Sequence, residues 1–153
     1  MALKATFNPH AVVQGKMRSF GARFERALLL VLNDLGMELV KTAREEHNYT
    51  DRTGNLTNSI GYAVIKGHHI LLRGGEGVGT GSDAAMETCV KVASQAPSRY
   101  TLAIVAGMDY AAYVEAKGYN VLLPAEMQAN KEFMPRMKEL FAKADAKLKE
   151  LMK

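Results

Sequence analysis

The chain has 153 residues and 16.8 kDa, with 48% hydrophobic and 24% charged residues, a balance that suits one globular domain. Its single cysteine, Cys89, excludes an internal disulfide, and a net charge of +4 with a pI near 9.2 falls well short of a chain devoted to phosphate backbones. Aromatic residues make up 7% and tryptophan is absent, which argues against a base-stacking platform.

The first twenty residues carry an early lysine and no apolar run of h-region length, so no signal peptide is expected. The longest apolar stretch, Ala27 to Leu32, is far below the roughly 18 residues of a membrane span. With one thiol and no export signal, synthesis in a reducing cytosol is expected.

Pro9 and its polar neighbours form a lead-in segment. Phe20, Phe24, Ala27, Leu28, Val31, Leu35 and Leu39 then recur at three- and four-residue steps, which predicts a helix from about Ala11 to Glu46. Turn formers from Asn48 to Thr53 stop it. Thr53 is placed to cap a short helix over Gly54 to Ile60. Tyr62 and Val64, then Ile70 and Leu72, alternate at period two, predicting a β-hairpin with Lys66-Gly67-His68-His69 at its tip.

Arg73 to Ser82 reads as a flexible glycine-rich loop, followed by a helix over Ala84 to Ser94 capped by Ser82 or Asp83. Arg99 to Ala106 is β-branched and nearly all apolar, the pattern of a central strand. Tyr110 to Glu115 suits one helical turn capped by Asp109, or an edge strand, with the helix preferred. Tyr119 to Leu122 is a short strand candidate. Pro124 then opens a terminal helix with Phe133, Met134, Met137, Leu140, Phe141, Ala144, Leu148 and Leu151 along one face, which Pro135 should kink or divide.

The predicted fold class is α+β: a small, largely antiparallel β-sheet packed against a long N-terminal helix and a C-terminal helix, with a short helix inserted between strands. Helices segregated to one side of the sheet is the simplest packing of these elements. Residues 1–153 read as a single domain, in which 74–97, the glycine-rich loop plus helix, is an insertion.

Chemical signals are sparse. The run GGEGVGTGS lacks the lysine of a phosphate-binding P-loop and the spacing of a dinucleotide fingerprint. His68 and His69 are adjacent, so on a strand they point to opposite faces and cannot chelate one ion together. Cys89 falls on the apolar side of its helix, as an inert buried thiol would. Lys138, Lys143, Lys147, Lys149 and Lys153 alternate with Glu139, Asp145 and Glu150, the pattern of a solvated helix face, and only secondarily of a nucleic-acid-binding module.

Two segments carry a resemblance. The first, DRTGNLTNSIGYAV from Asp51 to Val64, follows an amphipathic helix ending in Ala43-Arg44. The second, AIVAGMDYAAYVEAKG from Ala103 to Gly118, precedes the C-terminal helix. Read together, with Thr53, Gly54, Leu56, Ser59 and Ile60 in one and Tyr110, Ala111, Tyr113, Val114, Glu115 and Gly118 in the other, the chain resembles the tail-completion (head-tail joining, or neck) proteins of long-tailed bacteriophages and prophages. It departs from the pattern at Ala116-Lys117, at Tyr119 and at Leu122-Leu123-Pro124-Ala125.

The resemblance implies a structural role without catalysis, cofactor or metal. It implies a homo-oligomeric ring, commonly sixfold, that joins portal-side and tail-tube proteins in the virion after synthesis in the bacterial host cytoplasm, and that can be monomeric when isolated. Neither a membrane nor nucleic acid is an expected partner. In such a ring the segment holding Arg73, Gly75, Glu76, Gly77 and Gly79 is a candidate for docking on the next subunit. The motif residues themselves have structural readings: Thr53 and Gly54 start a helix, Leu56 and Ile60 face the core, and Tyr110 with Tyr113 or Val114 anchors the stretch between strands.

Overall fold

A computed structural model describes residues 8–75 and 77–153 of the chain. Helix α1 (Pro9–Glu45) starts beneath Asn8, whose side-chain oxygen accepts the Ala11 N–H at 3.2 Å. Its buried stripe is Leu28, Leu32, Leu35, Leu39 and Ala43, the period of one helical face. Burying each such leucine contributes about 1.5–3 kcal/mol relative to leaving it in water. After the one-turn helix α2 (Asn55–Asn58) come strands β1 (Ile60–Lys66) and β2 (His69–Gly74). Then follow helix α3 (Gly79–Gln95), strand β3 (Tyr100–Ala106), the short helix α4 (Ala111–Ala116) and helix α5 (Leu123–Leu151).

The three strands form an antiparallel sheet in the order β2-β1-β3. The α+β class and the two long terminal helices agree with the sequence reading, but the central strand is β1 and not β3. Successive β1 side chains alternate between two packed faces. Ile60, Tyr62 and Val64 join the core made with α1 and α5, whereas Ala63 and Ile65 join α3 through Ala85, Cys89 and Ala93. The helices are therefore not segregated to one side: α1 and α5 cover one face of the sheet and α3 covers the other. β3 is apolar because both its faces are covered, although among the described residues no strand lies beside its outer edge.

Tyr62 fixes the spacing between sheet and helix. Its hydroxyl donates to Asn33 Oδ1 at 2.6 Å, and its ring lies against Gly36, where a Cβ would fall 2.5 Å from Cδ2. α5 runs as one helix through Pro135, which did not divide it. Pro135 and Lys131, four residues earlier, are both solvent-exposed, so water can take the carbonyl left without its N–H. Across the α1–α5 seam, Arg136 donates to Glu38 and the Thr42 hydroxyl donates to Gln128, while within α5 Arg136 also donates to Glu132 at 2.7 Å.

Candidate functional site

The first of the two sequence blocks, Asp51 to Val64, contains a helical turn held from both ends. Asp51 Oδ2 accepts the Thr57 N–H at 2.7 Å, so a carboxylate sits at the positive end of α2. Burial pushes the Asp51 carboxyl up, but hydrogen bonds from Thr57, Gly54 and Leu56 outweigh it and hold the group below the usual aspartate range. Thr53 makes the weaker contact, its hydroxyl accepting from the Asn55 N–H at 3.3 Å, and Gly54 supplies the left-handed residue (φ 75°) from which the turn begins. Ser59 is fully buried and donates to the Leu56 carbonyl at 2.7 Å.

Arg44, in the last turn of α1, donates from Nε to the Thr57 carbonyl and from Nη2 to the Ile60 carbonyl, at 3.2 and 3.0 Å. The helix end that precedes the block is thus bound to it. Tyr49 is buried beneath, stacks on His47 with ring centres 4.2 Å apart, and shares a hydrogen bond with Thr57. Burial raises its hydroxyl above the ordinary tyrosine value.

The second block meets the first. Leu56 packs with Ala111, Val121 and Tyr49 in one small core, against which Val114 and Met108 also lean. The Gly107 N–H donates to the Ser59 carbonyl at 3.0 Å, and Ile60 pairs with Ala106 in the sheet. The half-buried Glu115 side chain accepts three backbone N–H groups, from Val121 at 2.6 Å, Leu122 at 2.9 Å and Leu123 at 3.1 Å. The expected strand over Tyr119 to Leu122 does not form, because Glu115 takes these donors and Asn48 takes the Asn120 N–H at 2.6 Å.

Of the expected anchors Tyr110, Tyr113 and Val114, only Val114 packs on this small core. Tyr110 and Tyr113 do not anchor the segment; Ala111 and Val114 do. The two rings, with Tyr119, are 42%, 64% and 47% exposed, and the Lys117 ammonium lies 5.2 Å from the Tyr113 ring centre. Asp109 does not cap α4, whose N-cap is Tyr110. The outcome is a turn whose buried side fastens the two blocks and whose outer side presents aromatic rings beside a cation.

The glycine-rich segment is shorter and more engaged than expected. Arg73 belongs to β2, Gly79 opens α3, and Glu76 lies outside the described residues. Neither Ser82 nor Asp83 caps α3, which starts after Val78. Gly75 lies against the Val40 methyl groups, and the Gly77 N–H donates to the Asn58 carbonyl at 3.0 Å. Gly81 is helical and buried, with room for no side chain, since a Cβ would fall 2.4 Å from the Asn55 carbonyl oxygen. Gly77 and Gly81 let the backbone approach the first block of this same chain at Asn58, a role with no sequence signal beyond the number of glycines.

Elsewhere, Glu25 accepts from Lys66 at 2.8 Å and from the Tyr100 hydroxyl, while the Lys66 ammonium lies 5.0 Å from the Tyr100 ring centre. The hydrogen bond to Glu25 pushes Lys66 up to about 12, and the bonds from Lys66 and Tyr100 lower Glu25. Lys66 is exposed and Glu25 and Tyr100 are half-buried, and the trio ties α1 to the sheet end. His68 contacts the Ala93 carbonyl at 3.3 Å, closing the hairpin tip onto α3. Among the described residues no group of three or more His, Cys, Asp or Glu side chains is placed to hold a metal ion, and no helix is long and apolar enough to cross a membrane. No protein-family model, curated protein or solved structure matches the chain.

Proposed function

We propose that the chain is a non-enzymatic virion assembly protein of the head-tail connector or tail-completion class, acting as one subunit of a ring between portal-side and tail-tube proteins. The observation that carries the reading is the meeting of the two sequence blocks. Leu56 of one packs on Ala111 of the other, Ser59 receives the Gly107 N–H, and Glu115 fastens the start of the last helix. The residues that make the resemblance are thereby accounted for as one structural unit, and the tyrosines left over face outward, where large amphipathic rings suit contact with another protein.

The rival, a nucleic-acid-binding module built on the last helix, has less support. Three of its lysines are engaged along the helix, Lys143 with Glu139, Lys149 with Asp145 and Lys147 with Glu150. Pairing of this kind suits a solvated face better than a phosphate-binding one.

The test is location in particles. An epitope-tagged copy expressed in the producing strain should be recovered in purified particles and label the joint between head and tail, and deletion of the gene should leave heads and tails unjoined. Neighbouring genes for portal, capsid and tail-tube proteins are expected; a tag absent from particles, with joining unaffected by deletion, overturns the reading.

A further inference from the structure

The first half of α1 and the last half of α5 lie side by side and leave a groove between them. Its floor is Phe20, Phe24 and Ala27 from α1 with Leu140, Ala144 and Leu151 from α5, and its volume is about 560 Å³. Phe24 is the hinge of this floor, with Phe20 at 6.3 Å and Phe141 at 5.7 Å between ring centres. A second hollow of about 260 Å³ shares Lys16 and Leu151 and carries the apolar track on past Val13, Met17 and Met152. From Val12 to Ala27 the track follows α1 for about 22 Å at 1.5 Å per residue, the length of about four helical turns.

The rim has one dominant sign. Lys16, Arg23, Lys143, Lys147 and Lys153 line it, and the acidic lining residue is Glu150. Lys143 and Lys147 are partly neutralised by Glu139 and Glu150, but Lys16 and Arg23 make no ion pair with any described residue. Two copies paired groove to groove would bring this cationic rim against another like it, and a phosphate backbone would leave the phenylalanine and leucine floor unused. We infer that this groove binds an acidic amphipathic helix of a partner protein, with the partner's apolar stripe on the Phe20–Phe24–Leu140 floor and its carboxylates on Lys16, Arg23, Lys143 and Lys147. The inference does not depend on the connector reading, and its test is separate from the location of the chain in particles.

The experiment is fluorescence anisotropy on the full chain with two labelled helical peptides of about four turns. Both carry leucine at i, i+3, i+4 and i+7; one has glutamate at the flanking positions and the other lysine. The glutamate peptide should bind at least about tenfold more tightly than the lysine peptide. Arg23→Glu with Lys147→Glu, which leaves the lining with as many anions as cations, should abolish that preference, and Ala144→Phe, which fills the floor without changing charge, should weaken the glutamate peptide about tenfold, with circular dichroism checking that each variant is folded. Binding of neither peptide, equal binding of both, or no effect of Ala144→Phe overturns the proposal. So does self-association in light scattering that Ala144→Phe abolishes, or binding of a DNA duplex with a steep salt dependence that the charge reversal removes.

Discussion

The Glu115 carboxylate accepts the backbone N–H of Leu122, the N-cap residue of the C-terminal helix, at 2.9 Å, and the N–H groups on either side of it at 2.6 and 3.1 Å. A helix start leaves such donors without intrahelical partners, and here a side chain from the preceding turn satisfies three at once. The carboxylate also lies at the positive end of the helix dipole. In consequence α5, which supplies Ala125, Met137 and Leu140 to the main core, is positioned from the second sequence block.

Glu115→Ala should therefore lower stability by about 1–3 kcal/mol, the range for losing a cap and charged hydrogen bonds, with the loss read from urea unfolding midpoints. Glu115→Gln keeps an accepting oxygen and should lose less. Equal losses in the two variants would assign the effect to the charge of the carboxylate, and negligible loss in both would overturn the capping role.

Asp51 predicts a pH dependence. Its folded value is depressed, so the stability it contributes is fully present above the unfolded value of about 3.9 and is lost as pH falls through the folded one. Asp51→Ala should cost about 0.5–2 kcal/mol near neutral pH, as loss of a helix cap does. The gap between wild type and variant should narrow on acidification below about pH 4, and a gap that stays constant there would contradict the assignment.

Gly36 and Gly21 make a paired prediction within one helix. At Gly36 an added Cβ meets the Tyr62 ring at 2.5 Å, whereas at Gly21 nothing lies within 4 Å. Gly36→Ala should destabilise by about 1–3 kcal/mol because the helix must move off the sheet. Gly21→Ala should stabilise by up to about 1 kcal/mol, the ordinary helix-propensity gain. Thermal unfolding of the two variants separates packing from propensity.

What the sequence made legible follows from which forces are local. The leucine period of α1 and the alternation of the hairpin are local patterns, and both elements form where those patterns run. The strand order is not local. β3 has the most apolar pattern, but β1 is central because its Ile60, Tyr62 and Val64 meet α1 while Ala63 and Ile65 meet the small residues Ala85, Cys89 and Ala93 of α3. The start of α3 was hidden for a related reason. Glycines disfavour a helix in isolation, yet at Gly81 close approach to the Asn55 carbonyl outweighs that cost. Of the candidate site, the inward roles of Leu56 and Ile60 were legible from spacing, while the outward tyrosines and the capping roles of Asp51 and Glu115 depend on where the chain turns back.

The last prediction separates the two sides of the α4 turn. Leu56 is buried between the blocks, and Leu56→Ala should cost about 2–5 kcal/mol, enough to deplete the folded chain. Tyr110 and Tyr113 are exposed, so Tyr110→Ala with Tyr113→Ala should leave the unfolding midpoint nearly unchanged, within about 0.5 kcal/mol for each site. If the rings contact a neighbouring protein, as the connector reading requires of an outward aromatic face, that double variant should be folded yet recovered in particles at a small fraction of the wild-type level. Normal incorporation of the double variant would move the contact surface elsewhere on the molecule, and a large loss of stability would mean that the rings are packing residues after all.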